Sequence, residues 1–406
     1  MKHLKSYLML GACAMTMLMG SCSQEKTPAT TLSGLDPAKF DSTIDGKKTA
    51  LYTLKNVNGM EVCITNLGGR IVSVMVPDRD GNMQDVVLGF DNVRNYADIE
   101  HTPSDFGALI GRYANRINQG RIVIEGDSIQ LPQNNYGHCL HGGPKGWQYS
   151  IYDATQTDDT TLALALTSPD GEMNFPGTVK ANVTYRLLSD NSIDIQYEAT
   201  TDKPTVINMT NHSYFNLNGD ASQPITNCLL YVNADNTTPI DSTFMTTGEI
   251  VKVEGTPFDF RKPVVLDSVV NNFDNVQIKN GKGIDHNWCL NTYKDGQGDD
   301  KTIAASVYCP TTGIKLDVYT NEPGIQVYTG NFLDGTVTGK YGKQYNKHAA
   351  ICLETQHYPD TPNKPQWPTA LLKPGETYNS HCIFKFSVYD EAALEGAAQA
   401  DSTAAE

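Results

Sequence analysis

Beyond residue 20 the 406-residue chain has no uncharged apolar run approaching the roughly 20 residues needed to cross a bilayer. It is short of positive charge: 31 Lys and Arg stand against 46 Asp and Glu, a formal charge of −15. That imbalance argues against nucleic acid and anionic lipid surfaces as partners and leaves a neutral small molecule open. No H-x-H or H-E-x-x-H spacing links His141, His212, His286 and His357, and there is no CxxC pair and no nucleotide-binding motif. Neither a metal nor a cofactor is therefore expected. No long stretch repeats apolar residues every 3.6 positions, so extended helices are excluded; residues 91–99 make one short helix at most. No internal repeat indicates a propeller, and no linker-like stretch divides residues 45–390.

Paired cysteines are also lacking. Of the nine, Cys13 and Cys22 lie in the N-terminal leader. The other seven (Cys63, Cys139, Cys228, Cys289, Cys309, Cys352 and Cys382) are odd in number, scattered and set among apolar neighbours. They are expected to be buried free thiols, since cysteine packs as a small hydrophobe.

What is present begins with an address. Lys2 and Lys5 precede a nearly uncharged run over residues 7–20, followed by Met19, Gly20, Ser21 and Cys22. Small residues directly before a cysteine resemble a lipobox. Residues 1–21 are thus expected to be a lipoprotein signal peptide, with Cys22 lipidated. Cys13 is a rival site that would leave almost no apolar region, and an ordinary signal peptide with an incidental Cys22 is the alternative. Loss of the leader lysines would take the charge to about −17. Residues 22–42, rich in Ser, Thr, Pro and Ala, are expected to be a flexible tether. The acidic, Ala-rich residues 391–406 are expected to be a disordered tail. The expected location is exported and held to a membrane only by the N-terminal lipid, on the periplasmic side or at the cell surface.

Residues 43–390 are dominated by a period of two. Val179, Ala181, Val183, Tyr185 and Leu187 alternate with polar residues. Leu162, Leu164 and Leu166 follow the same rule, as do Ile193, Ile195 and Tyr197, then Ile314, Leu316 and Val318, and finally Cys382, Phe384, Phe386 and Val388. Each run reads as a half-buried strand, because successive strand side chains point to opposite faces. Turn signals such as Asp80-Gly81-Asn82, Asp170-Gly171, Asp190-Asn191 and Thr312-Gly313 separate them. The fold class is all-β: about twenty strands in one large antiparallel β-sandwich.

Six segments break the alternation with polar, directional side chains: residues 106–116, 140–143, 211–217, 283–287, 324–331 and 353–356. Loop residues held on a rigid β-scaffold are where binding and catalysis concentrate. In order and wording these segments closely resemble the galactose mutarotase, or aldose 1-epimerase, family. The resemblance covers nearly all of residues 45–390, and residues 106–117, 211–217 and 353–356 are its most diagnostic parts.

The resemblance implies a mutarotase-type supersandwich that interconverts the α and β anomers of free hexoses such as galactose and glucose. It implies Glu354 as general base and His212 as general acid. It places Asn115, Arg116, His141, Tyr214, Asp285 and Gln326 on the sugar pocket. Tyr113 stands where relatives often carry a smaller aliphatic residue, which would alter the pocket wall.

The chemistry accounts for these residue types. Anomer exchange removes a proton from the C1 hydroxyl while another reaches the ring oxygen. The ring opens to an aldehyde, the C1–C2 bond rotates, and the ring recloses on the other carbonyl face. One carboxylate and one imidazolium suffice, each reversing its role on closure. Arg and Asp supply charge-assisted hydrogen bonds, and aromatic residues an apolar wall.

Taken singly, each residue also has a structural explanation. A histidine in an aromatic strand is commonly a core residue, Arg116 can brace a loop, and Asp285 or His141 can serve a turn. Glu354, flanked by Ile351, Cys352 and Leu353, resists that treatment, because an unpaired buried carboxylate costs several kcal/mol. Two other functions remain open at this point. A glycoside hydrolase would need two carboxylates flanking the scissile bond, and a sugar-binding lipoprotein would not need Glu354 and His212. A hexose 6-phosphate substrate would want a cationic cradle, and no extra Lys or Arg cluster is evident.

Overall fold

The computed structural model describes residues 30–102 and 104–389. The expected signal peptide, Cys22, residues 22–29 of the expected tether and the tail at 391–406 lie outside the described residues. Within them the polypeptide builds three substantial antiparallel sheets. Strand formation follows the alternation: Val179–Leu187 buries its five apolar residues and turns Lys180 and Asn182 to solvent. This strand sits in a nine-stranded sheet, which also holds Asp153–Asp158, Thr161–Ser168, Ser192–Thr201, Tyr378–Val388, Ile314–Thr320 and Ala305–Tyr308. A four-stranded sheet, Leu51–Lys55 to Met83–Asp85, and a five-stranded one complete the set.

One large core joins them. Val62 and Val74 of the four-stranded sheet cluster with Leu164, Val183, Ile195 and Phe384 of the nine-stranded sheet and with Trp288, Ile325 and Leu353 of the five-stranded one. Each fully buried aliphatic or aromatic side chain of this kind contributes about 1.5–3 kcal/mol.

The five-stranded sheet positions the site. Its strands Asp285–Cys289, Gly324–Tyr328 and Cys352–Gln356 are buried at every residue. Register pairs Asp285 with Tyr328 and Gln326 with Glu354. Because directly opposed residues share a face, Asp285, Gln326, Tyr328 and Glu354 lie on one side. Trp288, Ile325, Val327 and Leu353 lie on the other, in the main core. A sheet covered on both faces shows no hydrophobic alternation, which is why these segments depart from the period of two.

Three expectations need correction. Residues 31–41 are not a free tether. Leu35 and Phe40 are buried in a second cluster with Phe106, Tyr214 and Tyr328, and Asp36 caps the short 3-10 turn Pro37–Phe40. Two apolar anchors in a polar stretch are enough to dock it. Thirty strands are present among the described residues rather than about twenty, since many are ladders of two or three residues with no period to read. Tyr113 does not reach the wall of the expected pocket. It is buried with Ile117 and Phe175, its hydroxyl donating to the Tyr358 carbonyl and accepting from the Thr361 N–H.

The short helix expected at 91–99 is Val93–Ala97, its N-terminus capped by the Asn92 side chain accepting from Asn95 N–H at 3.0 Å. The seven cysteines of the domain are free and buried. Among the described residues no helix is long and apolar enough to cross a membrane.

Candidate active site

A pocket of about 320 Å³ opens over the second face of the five-stranded sheet. Glu354 and Asp285 rise from that sheet. His212 ends the short strand Thr210–His212, which pairs with Ala108–Ile110. Asn115 and Arg116 follow that second strand in the chain, and Leu140 pairs with Arg116 to bring His141 alongside. Asn115 and His141 both sit at positive φ, 61° and 51°. This backbone region is sparsely used by residues other than glycine, and it recurs at functional sites.

At the pocket floor His212 Nε2 lies 3.4 Å from Glu354 Oε1, both side chains almost wholly buried. Tyr214 stacks on the His212 ring at 5.0 Å, and His141 meets that ring edge-on at 5.2 Å. The Gln326 amide donates to Asp285 Oδ1 at 2.6 Å. The Arg116 guanidinium donates twice to Asn135 Oδ1, at 3.1 and 3.0 Å, and lies over the Phe244 ring. Tyr136, Tyr328 and Phe332 supply apolar wall.

Seven of the eight expected site residues line this one pocket: Asn115, Arg116, His141, His212, Tyr214, Asp285 and Glu354. Gln326 stands behind Asp285 and acts on the cavity through it. Sequence reasoning missed Asp105, Asn135, Tyr136 and Phe332, which also line it. Asp105 directly precedes a diagnostic segment, and a lone acid before an aromatic residue reads as solvated surface. Asn135 and Tyr136 lie in a turn-rich stretch whose approach to Arg116 exists only in three dimensions. His286 and His357 are elsewhere: His286 packs on Phe258 in the core, and His357 pairs with Glu322 at 2.8 Å.

Burial dominates the electrostatics. It pushes the Glu354 carboxyl well above the usual range, with Asp285 and Asp105 adding repulsion and Arg116 opposing them. It pulls His212 below the usual imidazole value, with Asp105 opposing that shift. His141 is pulled down to about 3, again chiefly by burial. Asp285 is raised by burial against the pull of Arg116 and Gln326. The Glu354–His212 pair thus favours holding one proton between its two groups, and the shift of each points towards its neutral form.

Asp105, His141 and His212 bring one potential ligand atom each within 4.8 Å of one another. The donor set does not fit a resident metal ion. His141 Nδ1 accepts the Asn115 N–H at 3.2 Å, so the neutral ring carries its proton on Nε2 and neither nitrogen has a lone pair to give. A larger cavity of about 570 Å³, lined by Leu229, Tyr231, Ile303, Tyr308 and Tyr389 among others, contains no carboxylate or imidazole. It offers no acid–base chemistry of the kind assembled around Glu354.

Known proteins resemble this chain in sequence and fold. The family model described as aldose 1-epimerase matches residues 50–385. Galactose mutarotase of Rattus norvegicus is 43% identical over 329 residues, which is 81% of this chain and 92% of that protein. Aldose 1-epimerase of Escherichia coli K12 is 37% identical over 344 residues, 84% of this chain and 96% of that one. A solved aldose epimerase homologue from C. elegans superposes with a TM-score of 0.77 at 28% identity, covering 84% of this chain and all of that one. Galactose 1-epimerase from Lactobacillus acidophilus gives 0.73 at 29% identity, covering 86% and 97%.

Proposed function

The chain belongs to the aldose 1-epimerase family and interconverts the α and β anomers of aldoses, and we propose that Glu354 is its general base and His212 its general acid. The observation that carries this assignment is the buried carboxylate–imidazole contact of 3.4 Å at the floor of a sugar-sized pocket. The Glu354 carboxylate takes the proton of the C1 hydroxyl as the His212 imidazolium delivers one to the ring oxygen. The ring opens, the C1–C2 bond turns, and closure runs both transfers backwards. Arg116 and Asp285 hold the sugar hydroxyls by charge-assisted hydrogen bonds, with Asn115 and His141 beside them. Tyr214, Tyr328 and Phe332 face the apolar side of the ring and keep water from the open aldehyde. No step needs a metal or a nucleotide.

A free hexose such as galactose or glucose is the substrate class. A hydrolytic reading has no support among the relatives, which are named galactose mutarotase and aldose 1-epimerase. Polarimetry of freshly dissolved α-galactose and α-glucose tests the proposal. Enzyme-dependent acceleration towards the anomeric equilibrium is expected, and its loss in Glu354→Gln with sugar binding retained. Release of sugar from an aryl glycoside instead would refute it.

The protein is further proposed to be exported and lipid-anchored through Cys22. The support is the charged start, the apolar run and the Met19-Gly20-Ser21-Cys22 sequence.

A further inference from the structure

Asp105 lies beside the acid–base pair without belonging to it. Its backbone is pinned on both sides. The buried Arg70 guanidinium donates to the Ser104 carbonyl and to the Phe106 carbonyl, each at 3.1 Å. The Ala108 N–H closes the turn on the Asp105 carbonyl at 3.0 Å, and Gly107, within that turn, donates its N–H to the His212 carbonyl at 3.0 Å. Gly107 runs so close to Ile71 that a Cβ there would sit 2.0 Å from the Ile71 carbonyl oxygen. The segment is thus held against the His212 strand, and a carboxylate oxygen of Asp105 comes within 4.8 Å of ring nitrogens of both His141 and His212.

We propose that Asp105 is a positioning residue that helps keep a proton on the Glu354–His212 pair and thereby sets the pH window in which the pair works. The inference rests on the assignment of His212 as the acid. Of the groups facing His212, Glu354 at 3.4 Å is the reaction partner. His141 meets the ring edge-on, and Tyr214 and Tyr328 are neutral rings. Arg70 opposes the imidazolium from behind. Among the described residues Asp105 is left as the one charge beside the ring that favours the imidazolium without taking part in the transfer. It counters burial and Arg70, and it also discourages ionisation of Glu354. A fixed negative charge at this distance raises both proton affinities of a coupled pair, so the pair's two apparent constants move together. Arg116 and Asp285 act on Glu354 from the other wall and tune the second group alone.

The test is Asp105→Asn, which keeps shape and removes charge. Removing a negative charge stabilises deprotonated forms, so both limbs of the kcat profile should move to lower pH by about one unit. KM should stay near the wild-type value, because the loss lies in proton transfer and not in sugar affinity. Asp105→Glu should bring the limbs back, and Asp105→Ser supplies a second uncharged variant should the amide fold poorly. Nitrogen NMR of the His212 ring should show a lower proton affinity in the uncharged variants. Unmoved limbs, or a loss confined to KM, would overturn the proposal and make Asp105 a sugar contact. His212→Asn separates the two ideas. If that variant is inactive while Asp105→Asn leaves both limbs in place, only the role of Asp105 fails. If His212→Asn stays active, the acid assignment falls and this inference with it.

Discussion

Glu354 meets His212 at 3.4 Å, whereas Glu322 meets His357 at 2.8 Å, and the two buried pairs titrate in opposite directions. Burial pushes Glu322 up as well, but the His357 charge and hydrogen bonds from Ser380 and Tyr378 hold it below the usual range. His357 is correspondingly raised by Glu322 in spite of burial. In that pair each shift points towards the charged form. At Glu354 and His212 both shifts run towards the neutral forms. A proton free to move is what acid–base work requires.

Glu354→Gln and His212→Asn should each slow mutarotation by roughly 10²–10⁴-fold while sugar still binds. The pair acts as one unit, so the double variant should lose far less than the product of the single losses. Polarimetric rates with binding measured by calorimetry decide the matter. A loss traced wholly to affinity would place Glu354 among the binding residues.

The rate should fall on both sides of a plateau. Activity needs one proton on the pair. The acid limb reports entry of a second proton, which the depressed His212 resists, so it lies below the usual imidazole value. The alkaline limb reports loss of the single proton, which the raised Glu354 retains, so it lies well above the usual carboxylate value. A pH–rate profile with its fall centred on the ordinary value of a solvated glutamate would contradict this.

Gly111→Ala would place a Cβ 2.1 Å from the Trp147 ring, inside a packed core. Overpacking of this kind costs about 1–3 kcal/mol, so the melting temperature should drop measurably. Gly107→Ala adds a positive φ of 68° to its clash with Ile71 and should also cost activity, because Gly107 hydrogen-bonds the His212 carbonyl. Thermal unfolding and polarimetry of the two variants separate damage to the core from damage to the site.

Cys22→Ser should move the protein from the membrane to the soluble fraction. Fractionation with a salt wash checks it, and a Cys22→Ser protein that still pellets would refute lipid anchoring.

Much of this was legible in one dimension. Strands with one wet face announce themselves, as Val179–Leu187 does. Glu354 was conspicuous because a carboxylate among Ile351, Cys352 and Leu353 has no cheap structural excuse. Asp105 was hidden for the opposite reason: an acid in a polar stretch is ordinary until the fold brings two imidazoles to it. That the Gln326 amide nitrogen donates to Asp285 follows from strand register and carries no signal in the sequence. Residues 31–41 were read by their average polarity, although Leu35 and Phe40 decide where they go.

Docking of Leu35 and Phe40 has a geometric corollary for an anchored enzyme. From Cys22 to buried Thr31 is a span of nine residues. Fully stretched, such a leash reaches about 30 Å, less than one domain diameter. A lipid on Cys22 would thus hold the sugar pocket in the layer next to the membrane surface, where hexoses crossing that membrane arrive or depart, and would not let it sample the wider compartment.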